Sequence, residues 1–482
     1  MPLNIYNSLH KQIEEFTPIN DREITMYHCG PTVYDRVHIG NLRSFFLADT
    51  LRRYFEFTGH KVKQVMNITD IGHISGDADF GEDKMMRLLK RKGLEINLKN
   101  MLSAAAEETE QFEKDLEALN ILHPHVLPKA SDHIKEQIAM IQQLIAKEIS
   151  YVTKHAIYFD VSKDPHYGAL GGLTTSGQEE NSRIEESEKR NIQDFALWKF
   201  DEMGFDSELG KGFPGWHIEC SAMSIKYLGE EFDIHTGGID LKPIHHNNEI
   251  AQACCSTDKN FAHYWMHGEF LNIDSEKMAK SLGNMFTLAD LEEKNISPLA
   301  LRVLFLQAHY RSVLNFSWDA LEASSNLLSG LYKTIAKCIY DDLRQKSSLD
   351  AVQILVEDYK TSDILSGYQN DLNTPQSFSQ FMRYIGEEPA INYDSRYKTI
   401  LMLKFDDLFG LKFKEVDSTT KKFLTQEKTV ALIYERNKAR LNKDYQKSDE
   451  LRDELLAENI ACEDGKDESF YFPAKILGVS LQ

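Results

Sequence analysis

The hydrophobic period of the chain changes twice within its first seventy residues. "EITMYHC" (23–29) is an almost unbroken apolar run and reads as a buried strand. Past Gly40, Leu42, Phe45, Phe46, Leu51, Tyr54 and Phe55 recur at helical spacing until Gly59 ends the pattern. "HKVKQVMNITD" (60–70) then returns to a strand pattern. Such a strand–helix–strand unit opens a parallel α/β sheet, which takes its ligands at the carboxyl ends of its strands.

A charged helical pattern over 98–120 leaves this unit, "HPHVLPKAS" breaks it, and "DHIKEQIAMIQQLIAKE" begins another helix. The strand "AIYFDV" and the Gly-rich, then charged "GALGGLTTSGQEENSRIEESEKRN" read as an insertion. Sheet signals resume with "DFALWKF", pass through a helix ("GWHIECSAMSIKYLG"), a strand ("EFDIHTGG") and a helix ("PIHHNNEIAQACC"), and end near "YWMHGEFLNI". From Ser317 the apolar spacing is that of a helical bundle. A last charged helix, "RNKARLNKDYQKSDELRDELLAEN", precedes "SFYFPAKIL".

At 482 residues the chain exceeds one ordinary core, so several domains are expected. A formal charge of −20 excludes an indiscriminate phosphate binder and confines any RNA contact to local basic patches. The cysteines (29, 220, 254, 255, 338 and 462) form no C-x-x-C and no secreted disulfide framework, which leaves reduced thiols or metal ligands. No apolar run approaches the ~18 residues of a membrane span, and the polar start "MPLNIYNSLHKQIEEF" is not a targeting peptide, so a cytoplasmic, membrane-free protein is expected.

Three stretches carry candidate chemistry. In "HIGN", His38 and Gly40 sit where a strand turns into a helix, whose free N–H groups and dipole suit an ATP phosphate; a structural histidine is the plain alternative. In "SEKMAKSLGN", Lys277 and Lys280 flank a small-residue turn able to close over a triphosphate, or simply form a solvated basic loop. In "HHNNEIAQACC", His245 and Glu249 are four apart and share a helix face, and with Cys29 and Cys220 they would make a Zn²⁺ set; buried apolar thiols are the alternative. "DADFGED" lacks EF-hand spacing and reads as a solvated acidic loop.

The joint order of "CGPTVYDRVHIGN", "NITD", "DFALWK", "GWHIECSAMS", "FDIHTGGIDL", "HHNNEIAQA", "YWMHGEF", "KMAKSLGN" and "AHYRSVLNFSWDAL" resembles the cysteinyl-tRNA synthetases, class I aminoacyl-tRNA synthetases, over essentially the whole chain. The resemblance puts His38, Gly40 and Asn41 at the ATP-binding HIGH motif and Lys277 and Lys280 at the KMSKS motif. It makes Cys29, Cys220, His245 and Glu249 ligands of one zinc ion, and Gly30, Thr69 and Trp216 substrate-pocket residues. Asn41 and Ala279 depart from the motifs, and the acidic stretch 72–83 from the shorter pattern of common members.

The implied architecture is α/β. A Rossmann-like parallel-sheet catalytic domain (1–120 and 194–262) is split by an insertion domain (121–193). A KMSKS-loop and stem-contact region (263–316), a helical bundle (317–413) and a small anticodon-binding domain (414–482) follow. The implied activity is ATP-dependent activation of L-cysteine, with Mg²⁺, and its transfer to tRNA(Cys) by a monomer. Arg436, Lys438, Arg440, Lys443 and Lys447, with Phe470, Tyr471 and Phe472, form a candidate RNA surface. A ligase joining cysteine to an amino sugar and a catalytically dead RNA-binding paralogue are the competing readings.

Overall fold

Parallel strands account for the sheet that carries the candidate chemistry. The chain begins with a hairpin, β1 (Asn4–Asn7) and β2 (Gln12–Glu15), then β3 (Ile24–His28), helix α1 (Ile39–Phe57) and β4 (Val62–Met66). Helices α2 (Lys84–Lys92), α3 (Leu98–Ala118) and α4 (Ile134–Ala146) lead into β5 (Ser150–Val152), β6 (Ala156–Phe159), β7 (Phe195–Phe205) and β8 (Gly212–Pro214). Helix α5 (Trp216–Leu228), β9 (Phe232–Gly238), α6 (His245–Thr257) and β10 (Ala262–Gly268) return to the first sheet. This computed structural model describes residues 2–71, 84–171, 188–273, 276–277, 284–345, 359–386, 396–465 and 469–481.

The order in space is β10–β9–β3–β4, with every neighbour parallel. The chain leaves β3 for β4 through α1 and comes back on the other side of β3 with β9. The two crossovers diverge there and open a crevice at the carboxyl edge, between the ends of β3 and β9. Near-continuous burial along β3 and β9 explains why both read as apolar runs rather than as alternating strands.

Strands β5 to β8 form a separate antiparallel sheet. Phe195, Leu197 and Trp198 of β7 share a core with Met140, Ile141 and Leu144 of α4. The sheet therefore runs across the edge drawn at residue 193, because "DFALWKF" pairs with β6 and β8 and not with the parallel strands.

Beyond β10 lie β11 (Leu271–Ile273), β12 (Glu276–Lys277), α7 (Leu288–Glu293), α8 (Pro298–Leu306) and β13 (Leu314–Phe316). The bundle comprises α9 (Trp318–Gln345), α10 (Tyr359–Gln369), α11 (Thr374–Gly386), α12 (Arg396–Phe409) and α13 (Phe413–Leu424). A hairpin of α14 (Glu427–Leu441) and α15 (Tyr445–Ala457) and an antiparallel pair, β14 (Ile460–Asp464) and β15 (Ser469–Pro473), close the chain. One apolar core runs from β3 and α1 into the bundle and on to Phe472.

A buried ionic clamp reinforces that core. Asp49 of α1 accepts from Arg53 at 2.9 Å and from Arg302 of α8 at 2.5 Å, and Arg302 also donates to the Phe409 carbonyl at the end of α12. Among the described residues, no helix is long and apolar enough to cross a membrane.

Candidate active site and metal centre

One strand and two helices deliver four polar side chains to the crevice at the carboxyl edge. Cys29 follows β3, Cys220 lies one turn into α5, and His245 and Glu249 project from the first turns of α6. The structure brings all four together, buried, with ligand atoms within 4.8 Å of one another. The two sulfurs are 3.9 Å apart, Glu249 Oε1 is 3.4 Å from Cys29 Sγ, and His245 Nε2 is 3.0 Å from the same oxygen. Two thiolates on one tetrahedral ion with ~2.3 Å Zn–S bonds stand about 3.8 Å apart, so the spacing fits such an ion.

Neighbouring rings orient these donors. His235 of β9 bonds Glu249 Oε2 at 2.8 Å, leaving Oε1 for the crevice. His217 of α5 meets His245 Nδ1 at 2.9 Å, which turns Nε2 inward. Cys29, His235, His246 and Glu249 form a second overlapping group within 4.8 Å. There, however, His235 Nε2 is spent on Glu249 and only one thiol is present, although His246, tied through Nδ1 to His267 Nε2 at 2.8 Å, keeps its Nε2 3.4 Å from Cys29 Sγ. The first group offers two thiols, and its histidine is held by its other ring nitrogen, the usual arrangement at a metal.

The electrostatics agree with a cation site. Burial pushes the Glu249 carboxyl up, but His235 and His245 outweigh it and hold it at about 2. Burial likewise opposes ionisation of Cys220, yet the hydrogen bond from Cys29 and the nearby His245 bring that thiol to about 6, while burial and Cys220 push Cys29 upward. His245, pulled down by burial and raised more by Glu249, reaches about 10. A proton on His245 thus offsets one of the two negative charges of a thiolate and a carboxylate, and a divalent ion, which matches both, would displace it.

Next to this centre lies the amino end of α1. His38 caps the helix: its Nδ1 accepts from the Asn41 N–H and its own N–H donates to Asn41 Oδ1, both at 3.3 Å. This reciprocal pair fixes Nε2 as the protonated nitrogen of a neutral His38 and spends the Asn41 carbonyl oxygen, leaving the Asn41 NH₂ as the group that can donate to an anion. Trp216 is half-buried with its ring 4.3 Å from that of His245. Gly30 admits no side chain, because a Cβ there would stand 1.7 Å from the Asn67 carbonyl oxygen. Thr69 is buried and donates to Glu219 Oε2 at 2.8 Å.

Residues 15–326 match the family model of the class I (C) tRNA synthetase catalytic domain. A cysteine–tRNA ligase of Treponema denticola is 38% identical over 96% of this chain and 98% of its own length. Cysteine–tRNA ligase 1 of Burkholderia lata is 40% identical over 96% and 95%. The chain belongs to the cysteine–tRNA ligase family. At 12% identity, a Mycobacterium tuberculosis methionyl-tRNA synthetase in complex with methionyl-adenylate shares the fold, with a TM-score of 0.59 over 82% of this chain and 93% of that one.

For this cysteine–tRNA ligase family chain, several expected site residues have a different standing. Lys280 and Ala279 lie outside the described residues, as does the acidic stretch 72–83, while Lys277 is placed by its backbone opposite Asn272 in β12. The C-terminal stripe is not one exposed surface. Arg436 is fully buried, bonding Asp464 at 2.9 Å and the Tyr471 hydroxyl at 2.9 Å, and Tyr471 and Phe472 are core residues. Arg440 also pairs with Asp464, at 2.9 Å, and Lys447 lies 3.3 Å from Glu450. Sequence reasoning missed His217, Glu219 and His235, although all three stand inside motifs it quoted, "GWHIEC" and "FDIHTGG".

Proposed function

We infer that this chain activates L-cysteine with ATP and passes the cysteinyl group to tRNA(Cys). The observation that carries this reading is the buried pair of thiols with an imidazole and a carboxylate, set in the crevice beside the amino end of α1. Zn²⁺ held by Cys29, Cys220, His245 and Glu249 would supply a soft acid that selects a substrate thiol over the hydroxyl of serine, a distinction that size alone makes poorly.

The protein's own groups then act by placement. With the thiol at the metal end and the nucleotide over α1, the substrate carboxylate lies in line with the α-phosphorus of ATP, taken with Mg²⁺. Its oxygen attacks, the P–O bond to pyrophosphate breaks, and cysteinyl-adenylate forms. His38 Nε2–H and the Asn41 amide donate to phosphate oxygens, and Lys277 and Lys280 neutralise charge on the departing pyrophosphate. The terminal ribose hydroxyl of tRNA next attacks the acyl carbon, and AMP leaves. The bundle and C-terminal segments (317–413 and 414–482) hold the tRNA, and the chain works as a cytoplasmic monomer.

The test is cysteine-dependent ATP–pyrophosphate exchange on protein of measured metal content, followed by charging of tRNA(Cys). Exchange proportional to bound zinc, negligible exchange with serine, and formation of Cys-tRNA are expected. Metal-independent exchange would remove zinc from the reading, and absence of charging would favour an amino-sugar acceptor. Sedimentation at the monomer mass tests the assembly state.

A further inference from the structure

A chain of hydrogen bonds of fixed polarity runs beside the metal centre. It starts at the Gly30 backbone N–H, which can only donate, and which bonds Asn67 Oδ1 at 2.8 Å. That bond sets the Asn67 amide, so Nδ2 faces Thr69 and donates to its Oγ1 at 3.2 Å. One lone pair of the Thr69 hydroxyl is thereby taken by a group that cannot accept in return. Its proton goes to Glu219 Oε2 at 2.8 Å. Asn67, Thr69 and Glu219 are each at most 1% exposed, so water does not compete for these bonds. A hydroxyl has one proton and two lone pairs, and what Thr69 keeps for a ligand is a single lone pair.

The place of this network is as informative as its polarity. Gly30 follows Cys29 and Glu219 precedes Cys220, so the network flanks both thiols. In an α-amino acid whose thiol sits at that centre, the α-ammonium group is three bonds from the sulfur. It is a cation with three donors and no acceptor. The second oxygen of Glu219, Oε1, has no hydrogen-bond partner among the described residues although fully buried, so Thr69 is the one group that engages this carboxyl through its side chain there.

We propose that Glu219 is a positioning residue that holds the Thr69 hydroxyl as a fixed acceptor for the substrate α-ammonium group. It touches no reacting atom and acts through Thr69, with Asn67 setting the sense of the chain. The proposal rests on the reading of this crevice as a cysteine pocket.

Calorimetry on the zinc-loaded full chain tests it with two ligands, L-cysteine and 3-mercaptopropionic acid, which keeps the thiol and carboxylate but has no amine. Glu219→Ala and Thr69→Val are each expected to weaken L-cysteine roughly tenfold or more, the scale of a hydrogen bond to a charged group. Both should leave 3-mercaptopropionic acid within about twofold, and the double variant should be no weaker than the worse single one, because the two residues act as one unit. Glu219→Gln, whose carbonyl oxygen can take the same proton, should recover most of the affinity. Should the alanine variant fail to fold, Glu219→Met, which keeps the volume and offers no carbonyl or carboxylate acceptor, gives the same comparison beside Thr69→Val and Glu219→Gln. Equal loss for both ligands, no loss for L-cysteine, or full additivity in the double variant overturns the proposal. A wild-type protein that binds zinc but neither thiol ligand overturns instead the reading of the pocket on which it rests.

Discussion

Glu249 shows how one side chain serves two masters: Oε2 is fixed by His235 while Oε1 faces Cys29 and His245. Because the donors are mutually oriented, loss of any one leaves three that cannot hold an ion in the same geometry. Cys220→Ser and His245→Ala are therefore expected to reduce bound zinc well below one per chain and nearly abolish cysteine-dependent exchange. Metal analysis alongside the exchange assay checks both halves. At Asn41 the cap and the phosphate donor are separable. Asn41→Ala removes the donor and the Oδ1 half of the cap while its backbone N–H stays on His38 Nδ1, costing about 0.5–1.5 kcal/mol in thermal or denaturant unfolding and slowing adenylation roughly 10–10³-fold. Asn41→Asp keeps the oxygen that accepts from His38 and puts a negative charge next to the phosphates, so its stability should return while the rate stays low. A wild-type adenylation rate in the alanine variant would leave His38 and the lysines without help from Asn41.

Among elements, α1 is constrained at two points, capped by His38 at the proposed ATP end and tied to α8 by the Asp49 clamp. Burial raises the Asp49 carboxyl, but Arg53 and Arg302 outweigh it and leave it below its ordinary value. A carboxyl lowered in the folded state adds stability that is fully present above its unfolded value, about 3.9, and is lost as pH falls through the folded value. Asp49→Asn should therefore unfold more readily than wild type at pH 7, by about 3–5 kcal/mol since it strands two buried guanidinium groups, and the gap should narrow below about pH 4. Urea melts at both pH values check this. The opening of the sheet was legible because β3, α1 and β4 differ in period, and His245 and Glu249 because helical spacing places them on one face. Strand β7 was not, since "DFALWKF" is equally apolar whether its partners are parallel or antiparallel. Arg436 misled for a related reason: within its helix it extends a row of cations, and only Asp464, 28 residues on, makes it a core residue. His235, Glu219 and Asn67 act through contacts between strands and helices far apart in sequence, which no local spacing reveals.

At the level of the molecule, the C-terminal hairpin shares a core with the long bundle helix. Tyr340 of α9 packs with Leu424, Leu455 and Tyr471, and Phe413 is buried near Tyr332, whose hydroxyl bonds the Leu411 carbonyl at 2.8 Å. A cut at residue 413 would strip α13 from α9, so Leu424 is the cleaner end point. A chain ending there is expected to keep cysteine-dependent exchange within about threefold and to lose at least roughly tenfold in kcat/KM for tRNA. Equal charging by the shortened chain would show that the hairpin does not contribute to tRNA binding.

The proposed metal centre also carries a timetable. Cys29 stands 191 residues ahead of Cys220 and 220 ahead of Glu249. At ~5–20 residues per second, a ribosome exposes the first thiol roughly 10–40 s before the last ligand exists. During that interval the centre has no partner to close on, and afterwards it requires β3 and β9 to be paired first. Zinc would then be a late passenger of folding rather than its seed. Refolding from denaturant should proceed at the same rate with zinc or with chelator, while unfolding should slow in zinc, because the ion stabilises an arrangement absent from the transition state. Stopped-flow traces in the two conditions check this, and faster refolding in zinc would mean that part of the centre assembles early.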